Sequence, residues 1–298
     1  MSNKKAPVIM FVYGRPEHTE KTLLALKENH QAKETKLYIY ADGAKDNTDE
    51  LKVREVQELI ANVKGFESVE IIIRNENYGL ARNIIEGVSE VIQKHGKAII
   101  VEDDIVTSKY FLTYMNEALN KYEDKGNVWH ISGWNYPIDT KGLQGSFLWQ
   151  TMNCWGWATW SDRWSSFNKN PEYLVSNWDS NKIKKFNLDG NSNFWAQVKA
   201  NYDGKINTWA VFWYATIFDN NGLCLNPAVS YVSNIGHDGS GENSLNENTY
   251  DVEVNEKYEP LIVQSKENDL AKTKIINFYK KSKQSLIRRI YNKIRRLF

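Results

Sequence analysis

The sequence predicts an α/β protein, a mostly parallel sheet with helices on both faces. Three observations predict it. Short, nearly all-apolar runs recur through the first 132 residues, each followed by a segment of helical spacing. The runs are apolar at every position rather than at alternate ones, as in strands buried on both faces. Polar and charged residues gather where the runs end, the edge at which open α/β sheets bind ligands.

The elements follow in order. Val8-Ile9-Met10-Phe11-Val12-Tyr13 is the first strand, broken by Gly14-Arg15-Pro16. Residues 17–29 read as a helix, with Leu23, Leu24 and Leu26 apolar. Residues 37–41 form a second strand ending in Asp42-Gly43. A polar turn then leads to a helix with Leu51, Val56, Leu59 and Ile60 on its apolar side. Residues 68–74 are a third strand, and Asn75-Glu76-Asn77-Tyr78-Gly79 turns the chain into a helix over 80–93. Residues 97–101 are a fourth strand that runs into Glu102-Asp103-Asp104, residues 110–122 a helix, and 128–132 a fifth strand. Beyond residue 146 the chain is less periodic and rich in Trp, Asn and Gly. Long irregular stretches of this kind in a compact domain are often functional.

Composition bounds the class. With 298 residues, 41% hydrophobic and 25% charged, the chain is neither disordered, collagen-like nor a disulfide scaffold. No apolar run reaches the roughly 18 residues of a membrane span. Two cysteines, Cys154 and Cys224, imply no disulfide framework, and with no leader-like apolar core the expected location is the cytoplasm. The net charge of +1 hides an asymmetry: residues 272–298 carry ten Lys and Arg and no acid, so residues 1–271 carry −9. In this tail Leu286, Ile287, Ile290, Tyr291, Ile294, Leu297 and Phe298 fall on one helical face, with Arg288, Arg289, Lys293, Arg295 and Arg296 between them. This pattern predicts a basic amphipathic helix for an anionic membrane surface, with docking on a protein partner as the alternative. The expected organisation is a domain over 1–270, in halves 1–135 and 136–270, and a tail over 271–298. The acidic body argues against a nucleic-acid partner.

Three carboxylates at one strand end repel one another unless a cation neutralises them. A hard divalent ion such as Mn²⁺ or Mg²⁺ takes oxygen ligands and often shares them with phosphates. The plain alternative is that Asp103 and Asp104 are first-turn acids of the next helix. The ordered set Phe11-Val12-Tyr13-Gly14-Arg15-Pro16, Asp42-Gly43, Asn77-Tyr78-Gly79-Leu80-Ala81-Arg82-Asn83 and Val101-Glu102-Asp103-Asp104 resembles GT-A-fold glycosyltransferases. It is similar to the family 2 enzymes and to N-acetylglucosaminyltransferase I. Cys154-Trp155-Gly156-Trp157-Ala158-Thr159-Trp160, with Asp162-Arg163-Trp164, resembles a subgroup of bacterial glycosyltransferases. The resemblance covers residues 6–245. It implies a metal ligand at Asp104, donor-sugar and ribose contacts at Glu102 and Asp103, and a uracil acceptor at Asp42. It also places Tyr13, Arg15, Asn77 and Arg82 around the nucleotide.

Four aromatic or amide positions, Trp134, Asn135, Trp155 and Trp157, are expected to contact a sugar, because an indole face stacks on a sugar ring. Trp155 and Trp157 would share one side of an extended segment. An inverting transfer needs a carboxylate base. The segment matching the resembling families reads Thr208-Trp209-Ala210, with alanine where an acid is expected, so Asp238 in the glycine-rich run 234–241 becomes the candidate. His237 beside it is a candidate second metal ligand. Together these predict a metal-dependent, inverting glycosyltransferase that uses a UDP-linked nucleotide sugar and a glycan or lipid-linked glycan acceptor. It would work at the inner face of the membrane. The rivals are a sugar-1-phosphate nucleotidyltransferase and a non-catalytic glycan- or nucleotide-binding partner.

Overall fold

A computed structural model describes residues 4–239 and 249–295, with side chains described as far as residue 282. The chain alternates strand and helix through its first half, as the apolar runs predict. The order is β1 (Val8–Val12), α1 (Pro16–Lys27), β2 (Lys36–Ala41), α2 (Glu50–Ile60), β3 (Ser68–Ile73), α3 (Gly79–His95), β4 (Lys97–Glu102), β5 (Ile105–Thr107), α4 (Phe111–Lys121) and β6 (Val128–Ser132). The second half adds β7 (Ser146–Trp149), β8 (Trp157–Trp160), four short helices, α5 (Ser161–Trp164), α6 (Pro171–Asn177), α7 (Ser180–Phe186) and α8 (Trp195–Tyr202), then α9 (Ala210–Asp219), β9 (Leu223–Pro227), β10 (Val232–Asn234) and α10 (Asp269–Arg295).

Eight strands form one sheet in the order β3-β2-β1-β4-β8-β6-β9-β7, and β5 pairs with β10 in a separate ribbon. The first four strands are parallel and aligned: Val12 sits opposite Ala41, Ala41 opposite Ile73, and Phe11 opposite Glu102. Their exits therefore form one rim carrying Tyr13, Asp42, Arg74 and Asp103. Beyond β4 the sheet is mixed, because β8 runs antiparallel to both β4 and β6. That reversal brings residues 154–156, which precede β8, to the same rim. β6 ends opposite Trp157 and delivers Gly133-Trp134 there as well.

The sheet's central strands are buried on both faces, whereas the edge strand β3 has no buried residue. One core contains Val8, Met10, Ile99, Phe111, Met115 and Trp160; the other contains Ile9, Phe11, Ile84, Trp157, Trp209 and Trp213. Trp157 and Trp134 are almost wholly buried in these cores. Trp157 stacks on His130 and Trp209, while Trp134 packs edge-on against Tyr136 and Trp155. The sugar contacts expected at Trp134 and Trp157 are therefore corrected. Gly156, at φ +59°, breaks the extended run, so Trp155 and Trp157 do not share a side. Asn135 is corrected too. It is buried, its amide N–H donates to Ser230 Oγ (2.8 Å), and its Nδ2 donates to Ala228 O (2.7 Å), which ties the exit of β6 to the segment before β10.

The tail does not begin as a separate segment. A boundary at 270/271 falls inside α10, and Ala271 and Ile275 are fully buried against the body. Phe278 and Tyr279 pack beside Tyr136, whose hydroxyl lies 2.9 Å from that of Tyr279. The first three turns thus belong to the domain. The apolar face from Leu286 to Phe298 lies outside the residues whose side chains are described. No described helix is long and apolar enough to cross a membrane.

Candidate active site

The rim assembles from the strand exits upward. Tyr13 leaves β1 and its hydroxyl donates to Asp49, while it accepts the Lys45 N–H (3.1 Å), which fastens the polar turn before α2. Burial and this hydrogen bond raise the phenol's pKa. Asp42 leaves β2 nearly buried. Its Oδ1 accepts the N–H groups of Gly43 (3.0 Å) and Tyr78 (2.8 Å), and Asn77 Nδ2 donates to Gly43 O (2.8 Å). Burial raises the Asp42 carboxyl and the backbone donors oppose it. Asp42 and Asn77 thus lock the entry to α3. Gly43 is required there because a Cβ would collide with the backbone of Glu76.

Arg82 turns outward. It is about half exposed (48%), pairs with Glu76 and Glu86, and covers the Tyr78 ring at 3.6 Å. Its position one turn into α3 explains this: the inward positions there are Ala81 and Asn83. The cation that faces inward is Arg74, which the sequence reading passed over as a strand end. It donates to Asn83 Oδ1 (3.1 Å), lies over Tyr40 and Tyr78, and its buried Nη2, without a hydrogen-bond partner among the described residues, stands 3.9 Å from the carboxylates of Glu86 and Glu90.

At the exit of β4, Asp103 is buried and Asp104 nearly so. Arg15 spans both. It pairs with Asp103 through Nη2 and through Nε (3.3 Å), and with Asp104 Oδ2 through Nη2 (2.9 Å). Burial opposes the Arg15 charge, but the two carboxylates more than offset it and hold the guanidinium above its ordinary range. Glu102 and Asp103 are pushed upward, first by burial and then by their acidic neighbours, with Arg15 opposing. One guanidinium thus pairs with two of the three acids and lies near enough to the third, Glu102, to lower its pKa. Cys154 lies close enough to Glu102 that burial, then this carboxylate, raises its thiol. Neither Arg15 as a bridge nor Cys154 as a neighbour is visible in the linear order.

The β10 ribbon closes the site from the other side. Ile235 N–H donates to Asp104 O (2.9 Å), and Gly236 lies so close that a Cβ would stand 3.0 Å from Asp104 Cγ and 3.1 Å from Arg15 Nη1. His237 packs against Trp155 (5.1 Å between centroids) and Tyr250, and its buried Nε2 has no hydrogen-bond partner among the described residues. Asp238 pairs with His18 Nε2 at 3.2 Å. His18, one turn after Arg15 on α1, was also passed over; its spacing from Arg15 is the signal that would have found it. Trp155 is half-buried and is the expected sugar-contact indole that remains at the rim.

These residues fit a hard divalent ion. They supply a carboxylate with one oxygen engaged by Arg15, an orphaned imidazole nitrogen on the adjoining loop, and a surplus of acid over base. Among the described residues no three His, Cys, Asp or Glu side chains already converge as a cage.

Comparison with known proteins follows this geometry. No curated protein matches the chain. Among the solved structures that it resembles is a mannosyltransferase, PcManGT from Pyrobaculum calidifontis in complex with GDP-Man and Mn²⁺. The identity is 10% and the TM-score 0.39, over 74% of this chain and 70% of that one. Residues 8–180 match the family described as glycosyl transferase family 2, a span that contains β1 to β4, Arg15, Asp42 and the acidic exit. As that span is more than half of the chain and its mixed α/β sheet is of the GT-A type, the protein belongs to glycosyl transferase family 2 and is a glycosyltransferase.

Proposed function

We propose that this enzyme transfers a sugar from a nucleoside-diphosphate donor, uridine-linked, to a glycan or lipid-linked glycan hydroxyl, with inversion and with Mn²⁺ or Mg²⁺. The observation that carries the reading is the set of three acids at the β4 exit, two of them paired with one guanidinium, with a His237 nitrogen on the loop above that has no hydrogen-bond partner among the described residues. Asp104 and His237 would hold the ion. When bound, it would stabilise the charge that builds on the leaving diphosphate.

The chain's own residues do the rest. Arg15 is suited to bidentate contact with phosphate oxygens. The Asp42–Asn77 lock shapes the base end of the site, and its likeness to N-acetylglucosaminyltransferase I supports uridine. Trp155 offers an indole to a sugar ring. Asp238 is the proposed base: it takes the acceptor proton, and His18, 3.2 Å away, orients its carboxylate. The basic tail supports peripheral binding to the inner face of an anionic membrane, where a lipid-linked acceptor would be met.

A donor panel of UDP- and GDP-sugars, assayed for nucleotide release with and without Mn²⁺, tests the reading. Asp104→Ala is expected to abolish metal stimulation. Metal-stimulated turnover in that variant would reject the site. Removing residues 280–298 is expected to abolish binding to anionic liposomes; unchanged binding would reject the anchor.

A further inference from the structure

We infer that Arg15 is a built-in counter-ion that couples the two ligands of the site: it holds the acids until a diphosphate draws it away, so that divalent metal and nucleotide bind as a pair. This rests on the metal-dependent reading above and deepens it.

Four observations carry the inference. Arg15 is committed to both Asp103 and Asp104, so the carboxylate assigned to the ion is already neutralised by a resident cation. The arrangement is compact: Gly236 presses on both Asp104 and Arg15, leaving no space for a side chain there. The second proposed ligand, His237 Nε2, is buried and unpartnered among the described residues, so Arg15 does not use it and an ion would. Arg15 sits immediately after β1, on the parallel rim that Asp42 shares. It can thus exchange carboxylate oxygens for phosphate oxygens by side-chain rotation, without moving a strand.

The physical consequence is a competition. Without nucleotide, a divalent ion approaching Asp104 meets a guanidinium on the same carboxylate, and like charges at that separation repel. With a diphosphate present, Arg15 gains a doubly acidic partner, and Asp104 is released to the ion. By linkage the effect is reciprocal: whatever factor nucleotide adds to metal affinity, metal adds to nucleotide affinity. A phosphate that ligates the ion directly also produces coupling. The part due to Arg15 is therefore the part that disappears when its charge is removed.

The test uses the full chain, with Mn²⁺ binding followed by electron paramagnetic resonance, alone and with UDP or GDP, correcting for Mn²⁺–nucleotide complexes in buffer. Wild type is expected to bind Mn²⁺ weakly alone and roughly tenfold or more tightly with nucleotide, within the usual range of coupling. Arg15→Gln is expected to bind Mn²⁺ alone about tenfold more tightly than wild type, with a correspondingly smaller nucleotide effect. Arg15→Lys, which keeps the charge but not the fork, is expected to lie between them. Equal Mn²⁺ affinity of wild type with and without nucleotide overturns the inference and needs no variant. So does Arg15→Gln with unchanged Mn²⁺ affinity, or with the gain equal in both states and the coupling intact. Failure of every form to bind Mn²⁺, while UDP or GDP still binds, overturns the metal reading itself. Good Mn²⁺ binding without coupling overturns only the Arg15 hand-over.

Discussion

Replacing Gly236 with alanine separates activity from stability at the centre of the site. The backbone at 236 is not in the left-handed region, so alanine is conformationally allowed there. The new methyl would overlap Asp104 Oδ2 outright and stand 3.0 Å from Asp104 Cγ and 3.1 Å from Arg15 Nη1. Non-bonded heavy atoms settle at about 3.5–4.0 Å, so the carboxylate must retreat by roughly 1 Å or more. Arg15 Nη2 now donates to Asp104 Oδ2 at 2.9 Å, and a retreat of that size carries the pair beyond hydrogen-bond range. Both obstructing groups are ends of side chains, and Arg15 keeps its pair with Asp103, so the thermal midpoint should move far less than activity does. Catalysis should not yield cheaply, since a 1 Å misplacement of a reacting constellation costs about 10²-fold. The assay is metal-stimulated nucleotide release with the best donor of the panel, alongside a thermal melt. A Gly236→Ala enzyme with wild-type turnover would show that Asp104 need not stand where it does, and the reasoning would fall.

Other outcomes follow from the same structure. His130 is buried, accepts from Trp213 Nε1 (3.2 Å) at Nδ1 and must donate from Nε2 to Asn153 O (3.0 Å), so it is held neutral; burial, partly opposed by that carbonyl, pushes its pKa down to about 3. Because the folded pKa lies below the unfolded one, stability is complete above pH 6.5 and is lost as pH falls towards 3, by up to about 1.4 kcal/mol per pH unit. His130→Gln should flatten that slope in denaturant titrations, and an unchanged slope would place the acid sensitivity elsewhere. Ile275→Ala, in the docked part of α10, should cost about 2–5 kcal/mol in chemical denaturation, and an unchanged midpoint would show that this turn is not core. Arg82→Ala should leave donor turnover and melting unchanged, since that side chain serves exposed ion pairs; a large loss of donor affinity would restore it to the nucleotide site. Asp42→Ala, which strips the partners from two backbone N–H groups, should destabilise by about 1–3 kcal/mol as well as weaken nucleotide binding.

The parallel half of the fold was determined by the sequence alone. Uniformly apolar runs such as 8–12 and 98–101 can be buried only between two layers, and the intervening helical spacing forces the crossovers that align their exits. Tyr13, Arg15, Asp42 and Glu102-Asp103-Asp104 were legible for the same reason: position in a parallel unit dictates which rim a residue occupies. Tertiary structure decided what those residues touch. No local signal tells that β8 runs antiparallel and brings Trp155 to the rim while sinking Trp157, because strand direction depends on partners about sixty residues away. Nor does it tell that Arg15 rather than Arg82 meets the acids of the β4 exit, that Arg74 turns inward, or that the first three turns of α10 pack on the body. Burial is a property of packed neighbours, and an indole or a guanidinium reads the same in a sequence whether it faces a sugar, a carboxylate or another helix.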